Sequence, residues 1–346
     1  MSKYEKYANN GLTGLANLGN SCYLNACMQI ISHTYELSDF LNKGDYKSKL
    51  NKLPDSIILL EWDKLRELLW QKNATVAPNG FINSLKKMAK IKKHDIFTGY
   101  SQNDVEEFLL FIIDSFHNAL SREVEMKITG NMQNDTDNLA ITCYNMMQTL
   151  YKKEYSEMVN IFYGIHVSQI VSDENNKILS QRPEPFFVLN LSIPDVKGHS
   201  TLYSCFDHYC ESEILSNENE NAWFNDKTNS YEDVKRNIIF WSLPNIMIIT
   251  LKRWNIVNRN KYNDIINIPI NNADFSKYVK GYNANSYIYD LYGICNHSGN
   301  VNGGHYTAHI KNANGKWYNF NDTIITEIDE SKIISSQTYC LFYRKK

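Results

Sequence analysis

The hydrophobic period changes once along this chain, and any fold open to it must join a helical half to a β half. Up to about residue 155 the apolar residues recur at helical spacing. Leu24, Cys27, Met28 and Ile31 follow i, i+3, i+4, i+7, the stripe of an amphipathic helix that begins near Cys22. Asn20 and Ser21 are its candidate caps. A second helix is predicted over 59–69. A third begins at Asp104, with Val105, Phe108, Leu109, Ile112, Phe116 and Leu120 on one face. Further on, short apolar runs over 186–193, 246–251, 287–295, 305–311, 317–320 and 339–344 read as strands, several of them separated by Asn and Gly clusters. The polar stretches 172–182 and 216–233 read as loop-rich, and Cys205 and Cys210 fall on a predicted helix.

Composition removes several classes of protein. With 346 residues, 43% hydrophobic and 21% charged, the chain suits one large domain or two small ones, and its core needs no disulfides. A formal net charge of -2 gives no basic excess, so no nucleic-acid partner is expected. The seven cysteines are odd in number and form no C-x-x-C pair, which reads as reduced, intracellular thiols. The polar start MSKYEKYANN lacks the apolar centre of a signal peptide. The longest apolar run, 238–251, contains Pro244, is too short to span a bilayer and reads as a buried sheet strand; no membrane association is expected. Glycosylation sequons at Asn296 and Asn321 lie among the candidate site residues, where sugars would block access, which fits a cytoplasmic or nuclear location.

Three segments carry chemistry. Residues 14–26 (Gly-Leu-Ala-Asn-Leu-Gly-Asn-Ser-Cys-Tyr-Leu-Asn-Ala) bring Cys22 to the first turn of a helix through a glycine-punctuated loop. Free N–H groups and the helix dipole there favour a thiolate and can face a developing oxyanion. Asn17 can add a side-chain donor. Cys27, on the apolar stripe, reads as core. Gly303-Gly304-His305-Tyr306 opens a strand, with glycines that let another backbone approach a positioned histidine. Trp317-Tyr318-Asn319-Phe320-Asn321-Asp322 ends in two acceptors, either of which can fix the tautomer of a base, although Asn-Asp is equally at home in an ordinary turn. Cys, His and Asn stand in the papain-like chain order.

Residues 14–26 resemble the cysteine box of ubiquitin-specific proteases, and residues 296–322 resemble their histidine box. Residues 99–108 (Gly-Tyr-Ser-Gln-Asn-Asp-Val-Glu-Glu-Phe) are similar to the family's Gln/Asp-rich box. Leu243-Pro244 with Leu251-Lys252-Arg253-Trp254 resembles its Leu-Pro…Leu-Lys-Arg-Phe segment, and Leu341-Phe342-Tyr343-Arg344 its closing strand. The motifs run from about Gly11 to Arg344.

The resemblance implies an α+β, papain-like cysteine peptidase. Residues 1–10 would be a short N-terminal extension to a single catalytic domain. Within it, a helical thumb would span about 11–155, antiparallel fingers about 160–240 and a palm about 241–346. Cys22 would be the nucleophile, His305 the base and Asn321 or Asp322 its orienting partner, with Asn17 and the Cys22 N–H holding the oxyanion. The implied substrate is the bond after the C-terminal glycine of ubiquitin. Gln102, Asp104, Asp114, Gly303, Gly304 and Tyr306 would bind its arginine-bearing tail. Asp104 suits a helix N-cap as well, Glu107 a capping box, and Tyr306 core packing. Many relatives carry two C-x-x-C pairs that bind structural zinc in the fingers. This chain has none there, so neither metal nor cofactor is expected. The expected partners are ubiquitin and ubiquitin-conjugated proteins, and the chain is expected to be a monomer. Two other readings remain. One is a peptidase for a different Gly-Gly-terminated modifier. The other is a catalytically weak ubiquitin-binding module, which predicts a lost nucleophile or base, and neither is lost.

Overall fold

The computed structural model describes residues 3–99, 101–194, 200–255, 260–300 and 303–346. Tyr100 of the Gln/Asp-rich segment and residues 301–302 before Gly303 lie outside the described residues. The helical half contains α1 (Cys22–Ser32), α2 (Tyr35–Asn42), α3 (Asp55–Gln71), α4 (Asn79–Ile91), α5 (Val105–Leu120) and α6 (Asp135–Tyr151). Its best-defined start is that of α5. The Asp104 side chain accepts from the Glu106 N–H at 2.7 Å, and Glu106 and Glu107 in the first turn suit the helix dipole. Helix α1 departs from the expected amphipathic stripe. Every residue from Cys22 to Ser32 is buried, because the helix lies between the other helices and the large sheet. The amide nitrogens of its polar residues find partners: Gln29 Nε2 donates to the Thr13 carbonyl at 2.6 Å and Asn25 Nδ2 to Asp322 Oδ1 at 2.7 Å.

The β half contains β1 (Gly164–Ser172), β2 (Ile178–Phe186), β3 (Val188–Ser192), then helix α7 (Leu202–Cys210), then β4 (Glu213–Leu215), β5 (Trp223–Asn225), β6 (Ser230–Glu232), β7 (Val234–Ser242), β8 (Ile246–Lys252), β9 (Ile288–Asn300), β10 (Gly303–Lys311), β11 (Trp317–Asn321), β12 (Ile324–Ile328) and β13 (Thr338–Lys345). The palm sheet runs β12-β11-β10-β9-β13-β8-β3, with Ala273–Asp274 added against β9. A second sheet, β2-β1-β7-β4, forms the fingers, and β5 and β6 make a separate hairpin.

The palm sheet divides two hydrophobic cores. Ile246, Ile248 and Phe342 face α1 and α5, while Met247, Ile249 and Leu341 face the core that includes Phe206 of α7. Burial on both faces makes Ile246–Ile249 of β8 continuously apolar. The run 238–251 is therefore not one strand. It breaks at Leu243–Pro244–Asn245 and serves two sheets, β7 in the fingers and β8 in the palm. Val188–Ser192, inside the span expected for the fingers, instead pairs in parallel with β8 at the palm edge. Residues 178–182, expected as loop, form a strand paired with β1, and its exposed polar residues hid the alternation. Within the expected N-terminal extension, Tyr7 packs into the helical half: it is buried, stacks on Tyr35 at 4.5 Å and donates to Asp39 at 2.6 Å.

Candidate active site

The loop before α1 is held against the palm. Gly14–Leu15 pairs with Thr75–Val76, and the Leu15 N–H donates to the Asp322 carbonyl at 2.9 Å. A Cβ at Gly14 would lie 2.7 Å from Thr323 Cα, so glycine is required at this crossing. The chain then turns through Gly19 and Asn20, both at positive φ, and Asn17 Oδ1 accepts from the N–H groups of Gly19 (3.2 Å) and Ser21 (3.1 Å). Ser21 occupies the cap position but makes no side-chain cap bond; its hydroxyl turns back to the Leu18 N–H at 2.9 Å. The first N–H groups of α1 are thus left uncapped beside Cys22.

Cys22 is 4% exposed. Burial pushes its thiol up, and the charge of Asp322 pushes it further. The N–H groups of Tyr306, Tyr23 and Cys22 itself pull the other way but do not overcome burial. The thiolate expected from the helix terminus alone is therefore not the favoured form at rest, and the site needs a base.

The histidine expected as that base stands on β10. His305 Nε2 meets Asn321 Oδ1 at 2.7 Å, where Asn321 closes β11. A carbonyl oxygen only accepts, so Nε2 carries the proton and Nδ1 keeps its lone pair. Tyr306, next in the chain, presents its N–H to the Cys22 thiol. Of the two candidate partners, Asn321 therefore meets His305. Asp322, at φ 50°, accepts instead from Asn17 Nδ2 at 3.0 Å and Asn25 Nδ2 at 2.7 Å. It brackets the cysteine loop and α1.

A groove of about 270 Å³ leads to this site, lined by Gln102, Asp104, Trp254, His297, Gly303 and Tyr306 among others. Gln102 and Gly304 exchange two hydrogen bonds, and a Cβ at Gly303 would fall 2.6 Å from Gln102 Oε1. Asp104 caps α5, as its N-cap reading expects, and also accepts from the hydroxyls of Tyr339 (2.9 Å) and Tyr306 (3.4 Å). Tyr306 likewise lines the groove while being buried. Burial and the neighbouring Lys261 lower His297 to about 4, so it is neutral.

Asp114 is not in this groove. It lies about 15 Å along α5 from Asp104, bonded to Lys92 Nζ (3.0 Å) and Asn118 Nδ2 (2.8 Å), on the rim of a second depression lined by Ile96, Leu110, Phe111 and Phe187. Glu107 shares that rim and forms no capping box, since the Asp104 side chain bonds the Glu106 N–H. It is an exposed acid that sequence reasoning assigned to capping; two acidic residues in a row after an N-cap can only partly be used by the cap, which was the available signal. No group of three or more His, Cys, Asp or Glu is placed to hold a metal among the described residues. No helix among them is long and apolar enough to cross a membrane.

The family profile described as "Ubiquitin carboxyl-terminal hydrolase" matches residues 13–343. Ubiquitin carboxyl-terminal hydrolase Usp2 of Drosophila melanogaster is 30% identical over 339 residues, covering 97% of this chain and 35% of that protein. Human ubiquitin carboxyl-terminal hydrolase 2 is 30% identical over 344 residues, covering 96% of this chain and 55% of that one. The Gallus gallus protein of the same name is 31% identical over 345 residues, covering 96% and 93%. The chain thus spans between a third and little more than half of the first two relatives. Among solved structures, the SAGA Ubp8/Sgf11/Sus1/Sgf73 DUB module bound to ubiquitin aldehyde matches with a TM-score of 0.74 at 25% identity, covering 100% of this chain and 72% of that one.

Proposed function

This chain belongs to the ubiquitin carboxyl-terminal hydrolase family, and from that premise we propose that it is a thiol-dependent hydrolase that cleaves the peptide or isopeptide bond after the C-terminal glycine of ubiquitin. One observation carries the reading. A buried cysteine at an uncapped helix start faces a strand whose histidine is fixed by Asn321 with its lone pair on Nδ1.

In this mechanism His305 Nδ1 takes the Cys22 proton, and sulfur attacks the carbonyl of the terminal glycine. The carbonyl oxygen gains charge next to the uncapped N–H of Cys22 and the second amide proton of Asn17, whose first is held by Asp322. Each such donor is typically worth ~10²–10³-fold in rate. The imidazolium, oriented by Asn321, then protonates the leaving amine, and water attacks the thioester with His305 again as base. The raised thiol makes proton transfer part of the attack rather than a standing ion pair. Gln102, Asp104, Gly303, Gly304 and Tyr306 would line the path of the tail, with Glu107 and Asp114 offering charge to its arginines.

The test is reaction with ubiquitin bearing a C-terminal electrophile, alongside the same probe built on other Gly-Gly-terminated modifiers. Wild type should form a covalent adduct with the ubiquitin probe, and Cys22→Ala should form none while still binding ubiquitin. An adduct that persists in Cys22→Ala would dismiss the assigned nucleophile, and labelling by another modifier alone would reassign the substrate.

A further inference from the structure

Three alternate residues at the entrance to α5 each grip a different part of the palm. Gln102 holds Gly304 of β10: its Oε1 accepts from the Gly304 N–H at 2.8 Å, and its Nε2 donates to the Gly304 carbonyl at 2.9 Å. Two residues on, Asp104 accepts from the Tyr339 hydroxyl of β13. Two further on, Glu106 reaches the far strands. Its Oε1 accepts from Asn190 Nδ2 of β3 at 2.6 Å, and its Oε2 accepts from Thr250 Oγ1 of β8 at 2.9 Å. The sheet order is β10-β9-β13-β8-β3, so successive rungs fall on successive parts of the sheet. The mechanism above uses Gln102 and Asp104 and leaves Glu106 without a task.

We infer that Glu106 is a positioning residue that locks the mouth of α5 onto the palm and so sets the width of the passage taken by the substrate tail. The inference rests on the proposed function for the identity of that tail, but not for the lock. An ionised carboxylate offers acceptors on both oxygens, which matches two partners that both donate here. Thr250 is fully buried, between Asn190 and Cys340 on the neighbouring strands, so water does not compete for this bond. The arrangement is held against a cost. Burial pushes the Glu106 carboxyl up; the Thr250 and Asn190 bonds oppose this, and the charge of Asp104 adds to it. The other groups facing it are Lys252 from β8, which favours the ionised form, and Tyr339 and Cys340 from β13. As pH falls through this raised value, the carboxyl takes up a proton, one acceptor is lost and the rung loosens. The Michaelis constant should therefore climb on the acid side.

The experiment compares wild type, Thr250→Val, Thr250→Ser and Glu106→Gln in two ways. The first is kcat and KM for a ubiquitin–aminocoumarin substrate from about pH 5 to about pH 8. The second is hydrogen exchange at the Gly304 N–H, which needs no substrate. Thr250→Val, an isosteric loss of the donor, should raise KM by about threefold or more, the scale of one lost hydrogen bond, with kcat within about twofold. It should also hasten exchange at Gly304, and Thr250→Ser should restore both. Glu106→Gln should flatten the acid-side climb in KM. Wild-type KM, pH profile and Gly304 exchange in Thr250→Val and Glu106→Gln, whatever their melting temperatures, would overturn the inference. Faster Gly304 exchange in Thr250→Val, in a protein whose wild type ignores ubiquitin, would overturn the proposed function and keep the lock.

Discussion

At Cys22 burial and the Asp322 charge oppose the helix terminus, and they prevail. Asp322 is thus a residue with two effects. It steadies Asn17 and Asn25 through 3.0 and 2.7 Å bonds, and it makes the thiolate harder to form. Asp322→Asn separates them. Made in a His305→Ala background, where no imidazolium can pair with the sulfur, it should move Cys22 alkylation by iodoacetamide to lower pH, because a negative neighbour has been neutralised. An unmoved or upward profile would show that Asp322 does not act on the thiol. The sequence made Cys22, His305 and the Asn321–Asp322 pair visible as candidates, since each sits where loop chemistry meets a regular element. It left the choice between Asn321 and Asp322 open. Adjacent residues at a strand end differ by where the turn begins, and that is decided by Asp322 adopting a left-handed backbone.

Among elements, the last strand is tied to the helical half as firmly as the active-site loop is. Arg344 of β13 donates to both carboxylate oxygens of Glu36 in α2, at 2.8 and 3.3 Å, and to the His33 carbonyl at 2.9 Å. The rings of Tyr4, Tyr35 and Tyr292 surround its guanidinium at 4.2 to 4.9 Å. A lysine keeps the charge but neither the fork nor the planar stacking. Arg344→Lys should therefore cost about 2–4 kcal/mol, near the scale of breaking a buried pair, and lower the thermal midpoint while the kcat of the folded fraction stays close to wild type. A loss of kcat without a loss of stability would contradict a purely structural tie. Sequence reasoning matched this segment to a closing strand but could not see the cage, whose members come from both ends of the chain. It located the start of α5 because the cap, Asp104, is local, and it placed Cys205 and Cys210 on a helix, α7, without seeing the reciprocal Thr201–Ser204 pair that caps it. It missed the β1–β2 pairing because β2 is exposed along much of its length, so side-chain alternation there no longer reports which face is inside.

For the molecule as a whole, charge is arranged locally against a nearly neutral background. The formal net charge is only -2, yet Asp104, Glu106, Glu107 and Asp114 all lie at the start of, or along, α5. They do not contribute alike. Asp104 and Glu106 are consumed by palm hydroxyls and Asn190, and Asp114 is paired with Lys92. Glu107 is exposed on the rim of the second depression and makes no ion pair among the described residues. It is the acid of the four most available to an approaching cationic tail, and an exposed charge acts on encounter more than on the bound complex. Glu107→Gln should therefore slow association with ubiquitin by roughly two- to fivefold at low salt, the equivalent of one screened surface pair, and should leave kcat unchanged. The difference from wild type should shrink as salt rises, since the Debye length falls from about 30 Å at 0.01 M to about 8 Å at 0.15 M. Stopped-flow binding across that range measures it. A deficit that persists undiminished at high salt would mean that Glu107 makes a short-range contact in the complex. Association equal to wild type at every ionic strength would mean that the acidic face of α5 does not steer the substrate at all.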